Sequence, residues 1–185
     1  NTRRKLIAAL GLSALVSPLS SFAQPATKIW RVGFLTFRHL EFIDADIFFG
    51  PFRAGMRELG YVEGKNLVIE WRSAEGNKER LPGLAAELVN LKMEVIVTAG
   101  SLATGAAQKA TSTIPIVMGT VGDPVRDGFV KSLARPGGNT TGRSNMSGEV
   151  SQRQVEMLLD MLPKLSLVAI LVNPGNPSNL ATLLR

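Results

Sequence analysis

The sequence predicts an α/β fold, an open parallel sheet with helices on both faces. Short apolar segments rich in β-branched residues alternate along the chain with segments whose apolar residues recur at helical spacing. Strands that read as continuous apolar runs are typical of parallel sheets covered on both sides. Strand–helix–strand order also predicts right-handed crossovers between neighbouring strands.

The first half of the chain supplies two strands and two helices. A strand is predicted at 29–36, and the helix at 51–59 ends before Gly60. The second strand is predicted at 67–72. The helix at 80–91 has one apolar face, formed by Leu81, Leu84, Ala85, Leu88 and Val89.

The second half continues the alternation, with a loop rich in Pro and Gly after residue 134. Buried strands are predicted at 94–99 and 115–120, a short strand at 142–146 and a further buried strand at 167–172. Helices are predicted at 101–110, 125–134 and 151–162, and another begins at 178–185. The composition shift at 135–148 is the best candidate for a domain boundary.

The composition is that of a globular protein: 185 residues, of which 45% are hydrophobic and 19% are charged. The net charge is +6, but three of these charges belong to residues 3–5, and no basic run is interleaved with aromatics. We therefore expect no nucleic-acid partner. The chain has no cysteine and one histidine, which excludes thiolate chemistry and multi-histidine metal sites but leaves a mixed carboxylate site open.

Residues 1–23 have the pattern of a secretory signal peptide. A basic start, Arg3-Arg4-Lys5, precedes an apolar stretch at 6–16 that is short for a membrane span, and Ser21 and Ala23 occupy the small-residue cleavage positions. The paired arginines also fit a twin-arginine signal, so the export route stays open. No later segment is long and apolar enough to span a membrane. We expect an exported product, periplasmic in a bacterium with two membranes.

Ligands of open α/β sheets bind outside the carboxyl ends of the strands, which directs attention to the turns after the predicted strands. Gly100 and Ser101 join a strand end to a helix start, whose free N–H groups would hold a carboxylate, and the hydroxyls of Ser101 and Thr104 would add hydrogen bonds. A plain helix cap is the alternative for Ser101.

Two further strand ends carry polar residues. Asp123 would pair with a ligand ammonium, or would instead cap the turn before Pro124. Asn173 follows the strand predicted at 167–172. The sequence contains no nucleophile elbow, phosphate-binding loop or dinucleotide fingerprint, so we expect no enzyme.

Several segments resemble the ABC-transporter substrate-binding protein family that includes the TrpX-type tryptophan-binding proteins. The resemblance is dense across 50–177 and looser before it. The matching motifs are RELGYVEGKN (57–66), AEG (74–76), RLP with LAAELV (80–89), ATSTIPIVM (110–118), VGDPV (121–125), SLARPGGN (132–139) and NP twice (173–177). The loop at 37–42 departs from the family's short, small-residue loop, so the ligand does not follow from the resemblance.

The resemblance implies a type I periplasmic-binding fold with two lobes that close on a small molecule. Residues 24–146 would be the first lobe and 147–185 the start of the second, which is incomplete. Gly100, Ser101 and Thr104 would then bind a ligand carboxylate, Asp123 an ammonium, and Asn173 would contribute from the second lobe. An inner-membrane ABC permease would be the partner, with no cofactor and no metal.

The leading hypothesis is therefore an exported receptor that delivers a small molecule, such as an amino acid or a related carboxylate, to an ABC importer. The alternative is a ligand-sensing domain of a signalling protein with the same fold. A small α/β enzyme ranks third, because no catalytic constellation is visible.

Overall fold

The computed structural model describes residues 28–42 and 49–171 and contains a five-stranded, fully parallel sheet. The strands are β1 (Trp30–Thr36), β2 (Leu67–Ser73), β3 (Val95–Ala99), β4 (Ile116–Val121) and β5 (Thr140–Ser144). Their order across the sheet is β2-β1-β3-β4-β5. The predicted parallel α/β sheet is therefore confirmed.

Four helices accompany the sheet: α1 (Phe49–Glu58), α2 (Leu81–Asn90), α3 (Ser101–Ala110) and α4 (Ser147–Met161). Short 3₁₀ turns lie at Leu40–Phe42 and Lys78–Arg80. The bounds of α3 match the sequence prediction, and those of α1 and α2 differ from it by one or two residues. The strand predicted at 142–146 forms two residues earlier, as β5, and α4 begins four residues before its predicted start.

Helices cover both faces of the sheet, because alternate residues of β1 point to opposite sides. Val32 and Phe34 pack towards α1 in one apolar cluster, whereas Leu35 packs with α2 and α3 in another. Gly33 lets α2 approach the sheet closely: a Cβ there would lie 3.0 Å from both Leu88 Cδ2 and Met93 Cγ.

The helix predicted at 125–134 is wrong. The segment after β4 is a run of turns, in which Asp123 Oδ1 accepts hydrogen bonds from the N–H groups of Val125 and Arg126. Gly128 then adopts a left-handed φ of +77°, which ends any helical course. The N–H groups of Phe129 and Val130 both turn back to Pro124 O.

The buried strand predicted at 167–172 is also wrong for 167–171. These residues pair with no strand among those described, and the large apolar side chains at 167, 168, 170 and 171 are exposed. A strand forms only where a neighbour satisfies its backbone groups, and the described part of the chain offers none here. The helix start at 178–185 lies outside the described residues.

Candidate ligand cleft

A cleft of about 530 Å³ opens at the carboxyl edge of the sheet. It lies where the strand order reverses, because β1 connects outward to β2 on one side while β3 begins the run to β5 on the other. Open α/β sheets bind ligands at this switch point, since the loops after the two strands diverge there. Its lining comes from the ends of β1, β3, β4 and β5 and the first turns of α1 and α3.

One wall of the cleft is aromatic. Phe34, Phe49 and Phe52 belong to one apolar cluster and line it, and Phe37, which packs against the cluster on the other face of the sheet, lines the cleft as well. Phe34 and Phe49 are almost fully buried and meet edge to face with their ring centroids 4.8 Å apart, and the indole of Trp71 stacks on Phe34 at 4.7 Å. Such aromatic pairs stabilise each other beyond simple burial, so the wall is a fixed surface for an apolar group.

The beginning of α3 forms another part of the lining. Gly100 occupies the N-cap position with a left-handed φ of +92° and offers no side-chain cap, while Ser101 and Leu102 line the cleft. The first N–H groups of a helix have no intrahelical acceptor and carry the positive end of its dipole. A helix start of this kind attracts anions, and binding of a ligand carboxylate there stays a prediction.

The structure places the Ser101 side chain in a different arrangement from the capping alternative. Ser101 is the first residue of α3, and its hydroxyl donates to Asp127 Oδ2 at 3.1 Å. Asp127 is largely buried, with a side-chain exposure of 9%. The sequence did not indicate this contact, because the two residues belong to different turns and lie 26 positions apart.

Thr104 lies behind the cleft surface. It is fully buried, and its hydroxyl donates to Gly100 O at 3.0 Å and lies 2.8 Å from Thr98 Oγ1. The lining residues of the cleft do not include it. In this structure Thr104 therefore anchors the start of α3 from within.

Asp123 lies at the end of β4, but its carboxylate is engaged with the backbone of the turn that follows. The lining of the cleft does not include it. This geometry is an Asx-turn, and it corresponds to the alternative role given above, in which Asp123 caps the turn before Pro124. Asn173, the residue expected from the second lobe, lies outside the described residues.

Two cationic side chains border the cleft: Arg38, from the loop at 37–42 that follows β1, and Arg143, from β5. Neither was among the ligand-binding residues expected from the sequence. Arg143 is exposed, and no acidic side chain among the described residues forms an ion pair with it. The strand predicted at 142–146 would put Arg143 near its amino end, whereas the observed bounds of β5, Thr140–Ser144, put it near the carboxyl end that ligands approach. Thr120, near the end of β4, adds a hydroxyl to the lining.

The loop after β1 is tied to the loop after β2. Glu75 Oε1 accepts from Leu40 N at 3.1 Å, and Glu75 Oε2 lies 2.7 Å from His39 Nδ1. Ser73 Oγ donates to Arg38 O. The contact with Ser73, followed by the Leu40 hydrogen bond and the His39 charge, lowers the pKa of Glu75 below its ordinary value.

The described residues contain no cluster of three or more side chains suited to a metal ion. Nor does any helix among them have the length and apolar character needed to cross a bilayer.

An open parallel α/β sheet with a cleft at its switch point defines the class of fold, and the lining of that cleft combines aromatic side chains with a helix start. Within that class the chain belongs to the ABC transporter substrate binding protein family, whose family model matches residues 45–183.

Similar proteins support the same assignment. The "Tyrosine-binding protein" of Clostridioides difficile (strain R20291) is 31% identical over 122 residues, which are 66% of this chain and 35% of that protein. A solved "conserved domain protein" from Vibrio cholerae O1 biovar El Tor is 32% identical with a TM-score of 0.74, and 85% of this chain covers 51% of it.

A more distant structure, an ABC domain from Streptococcus pneumoniae in complex with L-Trp, shares 24% identity with a TM-score of 0.71 and the same coverage. It supports the fold. This chain spans about half the length of the solved proteins it matches and about a third of the curated relative.

Proposed function

We propose that the full-length protein is an exported receptor that binds an aromatic amino acid and delivers it to an ABC importer. The observation that carries this proposal is the pairing, in one cleft, of an aromatic wall with an uncapped helix start. An aromatic amino acid is a small ligand with a flat apolar body and a carboxylate, and it matches both sides of that cleft. No chemical step is needed, since binding and release suffice for delivery.

The aromatic wall would take the ligand's ring. Phe37 and Phe52 are partly exposed at the cleft and can contact a ring directly. Phe34 and Phe49 pack in one cluster with Phe52, whereas Phe37 packs against the cluster on the other face of the sheet. Ligand pockets of this kind derive their affinity from apolar contact and use a few polar groups to fix orientation.

The start of α3 would take the ligand's carboxylate. Gly100, Ser101 and Leu102, at the positive end of the helix, line the cleft without a side-chain cap, and Arg143 lines the same cleft. A guanidinium can bind a carboxylate through two parallel hydrogen bonds, which adds geometric selection to the charge attraction.

The name of the Clostridioides difficile relative suggests L-tyrosine as the first ligand to test. The bulky loop at 37–42 supplies two cleft residues of this chain, Phe37 and Arg38, so its ligand can differ from that of the relative.

The wider assignment follows from family membership and the sequence. Residues 24–146 would form the first lobe and 147–185 would begin the second, which would close over the ligand and contribute Asn173. An ABC permease of the inner membrane would receive the closed form, and the signal-like segment at 1–23 would direct export. The binding step would then be a hinge closure favoured by contacts from both lobes.

The test is isothermal titration calorimetry of the full-length protein with L-tyrosine, L-tryptophan, L-phenylalanine and L-leucine. The proposal predicts that at least one aromatic amino acid binds more tightly than L-leucine, and that Phe37→Ala removes this preference. A well-folded protein that binds none of the four would overturn it. Uptake of labelled amino acid by cells with and without the gene then separates import from a sensor role.

A further inference from the structure

Asp127 lies on the turn that follows β4 and contacts a residue of the candidate cleft. Its Oδ2 accepts the hydroxyl proton of Ser101 at 3.1 Å. A serine hydroxyl has one hydrogen and two lone pairs, so a hydroxyl that donates to Asp127 presents only acceptor capacity elsewhere. Ser101 also lines the cleft.

We propose that Asp127 is a positioning residue that fixes the Ser101 hydroxyl as a hydrogen-bond acceptor, so that Ser101 selects ligands carrying an amino group. This inference rests on the proposed function, because it concerns recognition within the same cleft. It assigns the amino group to Ser101 and leaves the carboxylate to the backbone N–H groups of α3. Asp123, the acid that the sequence indicated for the ammonium, instead shapes the turn that carries Asp127.

The position of Asp127 is built into the fold at several points. Asp123 Oδ1 holds the N–H groups of Val125 and Arg126, and Asp123 O accepts from Asp127 N at 2.9 Å. Two residues further on, Phe129 O accepts from the side-chain amide of Gln108, on α3, at 2.8 Å. The turn is therefore attached to the helix that carries Ser101 at two places.

The charge of Asp127 is partly balanced by its neighbour. Arg126 Nε lies 3.6 Å from Asp127 Oδ1, and both side chains are less than a fifth exposed. The guanidinium of Arg126 therefore offsets part of the negative charge beside Ser101. The direction of the hydroxyl, rather than a bare negative charge, would discriminate a ligand N–H from a ligand oxygen.

A hydroxyl held in this direction has a consequence for carboxylates. Ser101 cannot donate to a carboxylate without breaking its hydrogen bond to Asp127, and two acceptors facing each other repel. An analogue without the amino group would leave the Ser101 lone pairs without a donor, and unpaired polar groups in a closed site reduce affinity.

The test compares two probes on the full-length protein by calorimetry: L-tyrosine, and desaminotyrosine, which keeps the phenol ring and the carboxylate but lacks the amino group. The variants are Asp127→Ala, Ser101→Ala, the double variant and Asp127→Asn. We expect Asp127→Ala to weaken L-tyrosine binding about tenfold and desaminotyrosine binding by less than about twofold. In the Ser101→Ala background the same change should have no further effect.

Asp127→Asn keeps an acceptor oxygen for the Ser101 hydroxyl and should restore the preference for L-tyrosine. The inference is overturned if Asp127→Ala weakens both probes equally, which is the result of a purely structural role. It is also overturned if the loss persists in the Ser101→Ala background, or if the wild type binds the two probes with equal affinity. A wild type that binds neither these probes nor the other amino acids overturns the proposed function itself.

Discussion

Thr98 Oγ1 and Thr104 Oγ1 lie 2.8 Å apart with neither residue exposed to solvent. Thr104 donates its hydroxyl hydrogen to Gly100 O, so the hydrogen between the two threonines belongs to Thr98. This chain of bonds joins the end of β3 to the first turn of α3. It fixes the direction in which the helix start faces the cleft.

Removing one of the two threonine hydroxyls leaves the other without its hydrogen-bond partner. Thr104→Val keeps the shape of the side chain but leaves the buried Thr98 hydroxyl without its acceptor. We expect the free energy of unfolding to fall by about 1–3 kcal/mol. Urea denaturation measures this loss. The double variant with Thr98→Val should lose less than the sum of the two single variants, and strict additivity would argue against a shared hydrogen bond.

Arg143 provides the most accessible test of carboxylate binding. Because it is exposed and forms no ion pair among the described residues, Arg143→Gln should leave the melting temperature unchanged. We expect it to weaken L-tyrosine binding roughly tenfold, the typical worth of a charge-assisted hydrogen bond. Arg135→Gln removes an exposed arginine outside the cleft lining and is the matched control. Equal effects of the two variants would show that net charge alone is responsible.

Glu75 makes the stability of the folded protein depend on pH in the acid range. Its pKa is lowered in the folded state, mainly by Ser73 and then by Leu40 and His39, from an ordinary value of 4.5. A lowered pKa stabilises the folded state above 4.5, and this contribution disappears as the pH falls through the lower, folded-state value. As the pH is lowered, the melting temperature of Glu75→Gln should therefore fall less steeply than that of the wild type.

Glu94 serves as the comparison for this experiment. Its pKa is also lowered, mainly by Lys28 and then by the Arg31 backbone, but it lies away from the cleft lining. Glu94→Gln should likewise reduce the fall in melting temperature at acidic pH. Of these two variants, we expect Glu75→Gln alone to weaken ligand binding at neutral pH. Glu75, unlike Glu94, contacts the loop that carries Phe37 and Arg38. A matching loss of affinity in both variants would contradict that role.

Gly142 permits β5 to lie against β4. Its φ is +145°, and a Cβ there would collide with the backbone carbonyl of Met118 at 2.2 Å. Gly142→Ala should therefore disrupt the pairing beside Arg143 and lower the melting temperature. Gly83→Ala is the control: this helical glycine of α2 has open space around it, and alanine should stabilise the protein by about 0.5–1 kcal/mol. Scanning calorimetry of both variants would show opposite shifts, and shifts of the same sign would refute the account of Gly142.

Periodicity and strand order predicted most of the fold. The apolar runs around Ile96 and Ile116 form buried strands of a parallel sheet, and the short helix predicted at 101–110 forms with those bounds, as α3. The helix predicted at 125–134 does not form, because Asp123 and Gly128 divert the backbone into turns despite a composition that permits a helix.

The candidate site was predictable in position but not in its detailed contacts. The strand-end rule placed Gly100 and Ser101 at the cleft, where the structure has them. It could not foresee that Ser101 would donate to Asp127, or that Thr104 would face inward, because both follow from the rotation of α3 about its axis. Nothing in the sequence shows that the buried rings of Phe34 and Phe49 also form part of a cleft wall.

The most direct test of the central claim is a crystal structure of the full-length protein grown with saturating L-tyrosine. We predict that the amino acid lies at the carboxyl edge of the sheet. Its carboxylate should be within hydrogen-bond distance of the first-turn N–H groups of α3, and its ring should lie against Phe37 and Phe52. Density for L-tyrosine at another place on the protein, or an empty cleft at saturation, would contradict the claim.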